Sequence, residues 1–229
     1  MVVFYRYPRG YTEGTQQQET SVTHTPSTAA EQWNARYGDN DYFYGTEPND
    51  FLRQNAESLP DGPMLCIADG EGRNSVFLAS LGKDVHSVDI SPVGVEKTRR
   101  LAAERGMVVN AQIGDLTDFE FGQNKWAAII SIFSHLPSAL RRDVHRRVVE
   151  SLQPGGVVLL EAYTPDQIGR GTGGPQAADM LMSEETLRDE FAGLEITLLQ
   201  EIVRDVVEGN GHTGTAAVVQ LIAHRIVNQ

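Results

Sequence analysis

The sequence predicts an α/β fold, a doubly wound and mostly parallel seven-stranded sheet with a C-terminal antiparallel hairpin. Three observations predict it. Short apolar runs alternate with helical segments from residue 63 onward, and parallel neighbouring strands need such crossover connections. The first apolar run ends in a glycine-rich turn, as a buried parallel strand commonly does. Two long β-type runs near the end of the chain flank a glycine-containing stretch, which predicts a hairpin.

The individual elements follow from apolar spacing and from helix stop signals. Apolar residues every four positions in residues 138–152 predict one buried helix face, and Gly82 and Gly106 end two helices. The arginines of residues 138–152 lie off this face, so solvent exposure is expected for Arg141, Arg142, Arg146 and Arg147. The predicted strands are Met64–Ala68, Val85–Ile90, Val108–Ile113, Trp126–Phe133, Val157–Ala162, Ile196–Val207 and Ala216–His224. The predicted helices are Asn74–Leu81, Pro92–Arg105, Ser138–Leu152 and Thr186–Phe191.

Composition divides the chain into three parts. Residues 1–30 are predicted to be a flexible tail, because a largely polar stretch such as 12–28 buries too little apolar surface to offset the entropy of ordering. Residues 31–62 form an aromatic-rich segment. Residues 63–229 are predicted to be the catalytic and cofactor-binding domain. Trp33, Tyr37, Tyr42 and Tyr44 suggest that residues 33–52 cover a ligand as a lid; the alternative is a helix that packs on the sheet edge.

Charge and cysteine content exclude several classes of function. The formal net charge of −12 disfavours nucleic-acid binding, because a negative surface repels phosphate backbones. The single cysteine, Cys66, excludes a disulfide framework and a multi-cysteine zinc site, and the histidine spacing predicts no metal site. No apolar run is long enough to span a membrane or to serve as a signal-peptide core, so a cytoplasmic location is expected.

The strongest functional signal is a glycine turn (residues 68–74) followed by acids at the ends of the next two strands. Glycines let the backbone approach a ligand closely, and a helix N-terminus offers unpaired N–H groups. A carboxylate at the end of the second strand can accept both ribose hydroxyls, and an acid with an apolar neighbour after the third strand can hold an adenine. The residues predicted to bind this adenosine are Asp69, Gly70, Glu71, Gly72, Asp89, Asp115 and Leu116.

The chemistry of the turn favours S-adenosyl-L-methionine over a dinucleotide. Dinucleotide sites commonly have a third glycine at the position of Ser75. The carboxylates of Asp69 and Glu71 would repel a pyrophosphate and attract a sulfonium and an ammonium group. An NAD(P)-dependent oxidoreductase is therefore the weaker alternative.

On these residues the chain resembles the class I S-adenosylmethionine-dependent methyltransferases, whose fold is Rossmann-like. The resemblance covers about Trp33 to Ala223 and rests on Leu65–Asn74, Val88–Ser91, Gly114–Leu116, Ile129–Phe133 and Leu152–Gly156. These segments add Ile90 and Phe133 to the expected cofactor contacts. Two further features are similar to the branch that includes tellurite-resistance and thiopurine methyltransferases, which act on small molecules. They are the segment from Trp33 to Leu52 and the ending from Glu208 to Val219.

The sequence departs from the family at two positions. Cys66 stands where the first motif usually has an acid, and Ala68 stands where it usually has glycine. Asp69 is the residue that could take over part of the role of the missing acid. This departure keeps a second alternative open, a catalytically silent protein that binds the cofactor and acts through protein partners.

Candidate catalytic residues come from the rule that ligands bind beyond the carboxyl ends of the strands. It selects His135, Tyr163, Glu208 and His212, and among them His135, Glu208 and His212 are predicted to be catalytic because oxygen or nitrogen acceptors can need a base. The alternatives are a structural role for His135, an ordinary hairpin position for His212, packing for Tyr163 and a surface pair of Glu208 with Arg204. The glycine-rich residues 169–175 are expected to form a mobile loop that shapes acceptor choice. The methyl acceptor is a small molecule of unspecified class, and the oligomeric state is left open.

Overall fold

The computed structural model describes residues 28–227. Residues 1–27, which make up most of the predicted tail, and residues 228–229 lie outside the described residues. The first helix, α1 (Ala29–Arg36), begins with a reciprocal cap. The Thr28 hydroxyl accepts the Glu31 N–H at 3.2 Å, and the Glu31 carboxylate accepts the Thr28 N–H at 2.7 Å. Helical structure therefore begins two residues before the predicted start of the aromatic-rich segment.

The remaining elements form the predicted seven-stranded sheet with helices on its faces. Its strand order is β3-β2-β1-β4-β5-β7-β6, and β1 to β5 are parallel. Within residues 28–227, no helix is both long and apolar enough to cross a membrane. The strands are β1 (Pro63–Ile67), β2 (Asp84–Asp89), β3 (Asn110–Ile113), β4 (Trp126–Ile132), β5 (Leu152–Tyr163), β6 (Glu195–Glu208) and β7 (His212–His224). The other helices are α2 (Asp50–Asn55), α3 (Arg73–Ser80), α4 (Pro92–Glu104), α5 (Ser138–Ser151) and α6 (Glu184–Glu190).

The C-terminal hairpin was predicted, but its place in the sheet differs from the expectation of an antiparallel edge strand. Strand β7 pairs antiparallel with both β5 and β6, so the antiparallel strand lies one position inside the edge. The turn is also shorter than expected, because the ladder continues until Glu208 pairs with His212. This pairing brings two predicted catalytic residues together at the end of the sheet where β1 to β4 terminate.

The core has two layers, one on each face of the sheet. One apolar cluster lies between the sheet and helices α5 and α6, and includes Trp126, Val144, Val148, Leu187 and Phe191. A second cluster lies between the sheet and helices α2 and α3. Every residue of β4 is buried, as expected for a central parallel strand with helices on both faces.

Helix α5 departs from the exposure prediction at two arginines. The Arg147 side chain is only 18% exposed and donates to the Leu116 and Phe119 carbonyls, and Arg141 is more deeply buried. The Arg141 side chain was expected in solvent but is only 3% exposed. Its guanidinium donates to both carboxylate oxygens of Glu190 on α6, at 3.1–3.2 Å, and Glu190 also contacts His145 at 2.6 Å. The apolar spacing of α5 could not reveal this ion pair, because its partner lies 49 residues further along the chain.

Candidate functional site

The glycine turn is held against β2 by the carboxylate of Asp89. Asp89 Oδ2 accepts the Gly70 N–H and Asp89 Oδ1 accepts the Ser91 N–H, both at 2.8 Å. Gly70 and Gly72 have φ of +64° and +88°, which favours glycine at both positions. Asp89 is 7% exposed, so the turn and the end of β2 hold one buried carboxylate at the predicted adenosine site.

Both aspartates of this region titrate above their usual range. Burial raises the pKa of Asp89 to about 6, although its two backbone hydrogen bonds oppose the shift. Burial also raises the pKa of Asp69 to about 6, against the hydrogen bond from the Ser75 hydroxyl. Asp69 Oδ1 is buried without a hydrogen-bond partner among the described residues, so this carboxylate keeps one unused acceptor.

Glu71 has protein partners that the sequence did not predict. Its carboxylate was expected to attract a cationic ligand, but Oε1 is paired with Lys97 Nζ at 2.7 Å. Oε2 accepts the N–H groups of Phe43 and Tyr44 at 2.8 and 3.3 Å. The carboxylate is therefore neutralised, and it fastens the aromatic-rich segment to the glycine turn.

The lid segment (residues 33–52) lies on the glycine turn. Tyr37 is 4% exposed, and a Cβ at Gly70 would lie 2.7 Å from its hydroxyl oxygen. Trp33 stacks on Tyr37 at 5.4 Å, and Tyr44 contacts the His212 ring at 4.5 Å. Three of the four predicted lid aromatics thus line the carboxyl end of the sheet. Tyr42 differs.

Tyr42 turns away from the site toward α4. Its ring lies 5.5 Å from Lys97 Nζ and 5.2 Å from the Arg100 guanidinium. Its hydroxyl donates to the Lys97 carbonyl at 3.3 Å. This residue packs the lid segment against the helix beside it.

The remaining predicted cofactor residues follow β2, β3 and β4. Ile90 is half-buried after β2, and Asp115 is exposed after β3. Leu116 is buried in the apolar core between the sheet and α5, where it cannot offer a free surface to an adenine in this conformation. Phe133 follows β4 with φ of +52°, an unusual backbone conformation for a bulky residue that commonly marks a functional position.

An aromatic cluster occupies the other half of the site. Phe133 stacks on Tyr163 at 4.5 Å, and the His212 ring meets both of them edge to face at 4.6 and 5.2 Å. Tyr44 of the lid segment completes the cluster. The structure therefore brings Phe133 and His212 together, although they lie on different strand ends and were predicted for different roles.

His135, the third predicted catalytic residue, has both ring nitrogens engaged. Nδ1 contacts the Met180 carbonyl oxygen at 3.0 Å, and Nε2 accepts the Tyr163 N–H at 3.3 Å. Burial lowers the pKa of His135 to about 4. A neutral imidazole with both nitrogens bonded to backbone holds two segments in place and cannot take a proton from an acceptor in this conformation.

Glu208 and His212 form a buried pair. Glu208 Oε2 lies 3.6 Å from His212 Nδ1 and accepts an Arg73 N–H at 2.6 Å. Burial raises the pKa of Glu208, but His212 and Arg73 outweigh burial and hold it at about 2. Burial lowers the pKa of His212. The site therefore contains a permanent carboxylate beside a neutral histidine, an arrangement that can orient a general base.

Sequence reasoning missed the polar network that supports this pair. Asn49 of the lid segment donates to Glu161 at 2.7 Å and to Glu208 at 2.8 Å. Glu161 is also paired with Arg204, and Gln220 donates to it at 2.6 Å. The expected pairing of Glu208 with Arg204 exists at 3.6 Å, but it is buried rather than on the surface. A polar residue on a predicted inward face, such as Gln220 on β7, was the one signal in the sequence.

Unpartnered buried polar atoms concentrate at this end of the sheet. Most of those that the structure contains within residues 28–227 belong to the glycine turn, to α3, to the aromatic cluster or to the residue that follows Phe133. They are Asp69 Oδ1, Arg73 Nη1, Ser134 Oγ, Tyr163 Oη and His212 Nδ1. Buried polar atoms are normally bonded, so their concentration indicates a ligand site. No group of His, Cys, Asp or Glu side chains in the described part of the chain could hold a metal ion.

Two cavities open on other parts of the surface. One, of about 220 Å³, lies between the lid segment and β6 and touches Glu208. The other, of about 400 Å³, lies beside residues 118–123. Neither cavity is lined by a predicted cofactor-binding residue.

Comparison with known proteins adds family evidence to this geometry. Residues 64–156 match the family described as a methyltransferase domain. A 2-heptyl-1-hydroxyquinolin-4(1H)-one methyltransferase from Mycobacteroides abscessus is 27% identical over 113 residues, which cover 46% of this chain and 50% of the relative. The chain matches about half the length of the curated relatives that it resembles.

Solved structures agree with the fold. A protein from a study of the conversion of a disulfide bond into a thioacetal group during echinomycin biosynthesis superimposes with a TM-score of 0.72, at 18% identity, over 88% of this chain and 93% of its own. TehB from Haemophilus influenzae superimposes with a TM-score of 0.64, also at 18% identity, over 86% of this chain and 66% of its own. The sheet order and the glycine turn agree with the match of residues 64–156 to a methyltransferase domain, and the solved structures share the fold.

Proposed function

We propose that this protein transfers the methyl group of S-adenosylmethionine to a small-molecule acceptor. When bound, the cofactor supplies an electrophilic methyl group: the acceptor atom forms the new bond to carbon, the carbon–sulfur bond breaks with its electron pair going to sulfur, and S-adenosylhomocysteine leaves. The observation that carries the proposal is the buried Asp89 carboxylate, which is bonded to the glycine turn where β1 and β2 end.

The residues of the site fit this cofactor. Each Asp89 oxygen bonds one backbone N–H and keeps a second lone pair, so the carboxylate can accept two ribose hydroxyls. Asp69 Oδ1 and Arg73 Nη1 lie buried and unpartnered, and offer one acceptor and one donor to the oppositely charged ends of an amino acid. Trp33, Tyr37 and Tyr44 would exclude water above them.

The chain's own contribution to the reaction is alignment, exclusion of water and removal of a proton. In-line attack on a good leaving group depends mainly on orientation. Where the acceptor carries a proton, His212 is the proposed base: Nδ1 faces Glu208, which leaves Nε2 to take the proton. The M. abscessus relative is named for an acceptor with an N-hydroxyl group, which supports a hydroxylated small molecule here.

Cofactor binding tests the proposal directly. A saturating concentration of S-adenosylhomocysteine, about 100 times its Kd, should stabilise the fold by about 2.7 kcal/mol and raise its Tm by roughly 5 °C or more. NAD and NADP should not raise it. Asp89→Asn should weaken binding of S-adenosylhomocysteine by about 10-fold or more in calorimetry, because a neutral amide loses charge-assisted hydrogen bonds.

The control is Asp84→Asn, which changes the exposed aspartate at the opposite end of the same strand. It should leave the affinity unchanged. Equal loss of affinity in both variants, or stabilisation by NAD in place of S-adenosylhomocysteine, would contradict the proposed cofactor. Binding without any turnover of small molecules would favour the catalytically silent alternative.

A further inference from the structure

The glycine-rich loop 169–175 closes over the aromatic cluster. A Cβ at Gly173 would lie 2.7 Å from His212 Cδ2 and 3.0 Å from the Tyr163 hydroxyl oxygen, and one at Gly174 would lie 2.5 Å from the Tyr163 ring. Only glycine allows the backbone this close. The loop therefore forms a wall directly against the residues that face the proposed acceptor.

The start of this loop is fixed to the sheet by one buried glutamine. Gln167 is fully buried, and its amide oxygen accepts the Ala217 N–H of β7 at 2.9 Å. Its amide nitrogen donates to the Thr172 hydroxyl at 2.9 Å and to the Gly173 carbonyl at 3.0 Å. These bonds tie the loop to β7 and position Gly173 over His212.

Beneath the loop, a buried hydroxyl has no partner. Tyr163 is 0% exposed, and its hydroxyl makes no hydrogen bond to the described residues. Burial is the main reason that its pKa is raised above 10, so the group remains a neutral donor. A buried, unbonded hydroxyl under this wall indicates that a polar atom of a ligand completes it.

The shape of the surroundings favours a flat ligand. The Phe133 and Tyr163 rings lie 27° from parallel, and the His212 ring stands at 90° to Tyr163. Such offset and edge-to-face arrangements present flat faces and edges to a further ring. The glycine backbone of residues 173–174 packs directly on these rings, so a flat acceptor takes this place only when the loop moves away from them.

The charges around the cluster favour a neutral acceptor over an oxyanion. Arg73 is paired with Glu208 at 2.6 Å, and Arg204 is paired with Glu161. Arg36 donates to the Tyr44 hydroxyl at 3.1 Å and stacks on Trp33. Arg204 is thus neutralised by Glu161, and Arg73 is shared between Glu208 and the proposed cofactor, so neither cation is left to bind an acceptor oxyanion.

We propose that the acceptor is a planar aromatic molecule with a hydroxyl group, that the Tyr163 hydroxyl donates to its oxygen, and that loop 169–175 opens to admit it and closes on its ring. This inference rests on the proposed methyltransferase function and names the acceptor class for that site. Tyr163 is then a positioning residue that sets specificity, whereas His212 takes the proton.

Acceptor binding by calorimetry, in the presence of S-adenosylhomocysteine, tests the proposal. Four probes separate the alternatives: naphthol is planar and hydroxylated, naphthalene lacks the hydroxyl, cyclohexanol is not planar, and tellurite is an oxyanion. Naphthol should bind at least 10-fold more tightly than each of the other three. Preference for tellurite or equal binding of naphthalene would overturn the assignment of the acceptor.

Tyr163→Phe tests the role of the hydroxyl. Because the buried hydroxyl is unpartnered, its removal should not lower the Tm. The variant should weaken naphthol binding and raise the KM for naphthol about 10-fold, with kcat changed less than threefold and with unchanged affinity for S-adenosylhomocysteine. Unchanged naphthol binding in a folded variant would overturn the inference. If the unmodified protein did not bind S-adenosylhomocysteine at all, that result would instead contradict the proposed function.

A matched pair of glycine variants tests the wall. Gly173→Ala and Gly169→Ala both place a side chain at positive φ, +119° and +83°, but only the first would meet other atoms, since Gly169 has none within 4 Å. Gly173→Ala should weaken naphthol binding about 10-fold and Gly169→Ala less than threefold. Equal effects would contradict a wall at Gly173.

Discussion

The site has a cofactor half, formed by the glycine turn, Asp89 and the lid segment above them, and an acceptor half, formed by the aromatic cluster with Glu208 and Glu161. The hydrogen bonds of the two halves span very different numbers of residues along the chain. In the cofactor half, the bonds that hold the turn and the segment above it join residues at most 28 positions apart, as between Gly70 and Asp89 or between Phe43 and Glu71. In the acceptor half, Asn49 reaches Glu161 and Glu208 across 112 and 159 positions. The cofactor half is therefore close to a local structure, whereas the acceptor half exists only when the whole sheet and the lid segment have assembled.

The halves also differ in how they use buried charge. Glu71 and Asp89 are bonded to backbone N–H groups and hold the turn and the lid segment in place. Glu208 and Glu161 are bonded to side chains of the lid segment and β6, and they hold the proposed base in place. In the cofactor half the buried carboxylates hold backbone segments in place, whereas in the acceptor half they orient side chains.

The largest expected effect lies in the acceptor half. His212→Asn should lower kcat about 100-fold or more with the acceptor that turns over, because general-base catalysis typically contributes this much. The Kd for S-adenosylhomocysteine should stay within threefold of the original value. His224→Asn changes the other end of β7 and should leave kcat unaltered. A similar kcat for both variants would remove His212 from the reaction.

Asn49→Ala is expected to have the next largest effect, on stability. It removes one donor each from the buried Glu161 and Glu208 carboxylates, which should lower the free energy of unfolding by about 2 kcal/mol. Urea unfolding measures the change. Asn40→Ala, at an exposed position of the same segment, should cost less than about 0.5 kcal/mol. If the two variants were equally stable, the long-range network would not hold the acceptor half together.

The cofactor half should respond to pH. Asp89 has a pKa of about 6 and accepts ribose hydroxyls best when ionised, so the Kd for S-adenosylhomocysteine should rise about 10-fold between pH 7.5 and pH 5. The stability of the free protein should rise over the same fall in pH, so stability increases while affinity for the cofactor decreases. A carboxyl group whose pKa is raised on folding contributes stability at low pH, which is lost as the pH rises from about 4 to 6.

The pH test has a clear control. Calorimetry on Asp89→Asn should show a smaller change in Kd over the same range, because Asp69, with a pKa also of about 6, is the remaining group of this kind in the turn. If the original protein bound S-adenosylhomocysteine equally well at pH 5 and pH 7.5, Asp89 would not contact the cofactor as a carboxylate.

The smallest expected effect concerns Ala68, the residue that departs from the family pattern. Its φ is +47°, a conformation that costs most residues about 1–2 kcal/mol and that glycine adopts freely. Ala68→Gly should therefore raise the free energy of unfolding by roughly 0.5–1 kcal/mol in urea titration. Ala79→Gly, in helix α3, should lower it by about 1 kcal/mol. A loss of stability in both variants would mean that Ala68 is not strained.

The difference in range also explains what the sequence could predict. The strands, the helices and the glycine turn follow from local periodicity and from turn residues, and the structure confirms the sheet with its hairpin. Asp89 was predicted because it ends β2, which is one helix and one strand after the turn. Its bond to Gly70 is a consequence of that local path.

Other features depended on packing that no local pattern contains. The exposure of Arg141 was wrong in prediction because its partner Glu190 comes from another helix, and the pairing of Glu71 with Lys97 of α4 was missed for the same reason. Leu116 was expected at a ligand but lies in the core, since an apolar residue after a strand suits either place. The position of β7 inside the edge follows from pairing with both of its neighbours, and the hairpin sequence alone allowed either order.

A crystal structure with bound S-adenosylhomocysteine tests the central claim most directly. We expect adenosine at the carboxyl ends of β1 to β3, with both ribose hydroxyls within hydrogen-bonding distance of the Asp89 carboxylate. The lid segment should be closed above the cofactor. Density for the ligand elsewhere, or Asp89 bonded only to Gly70 and Ser91 in a fully loaded crystal, would contradict it.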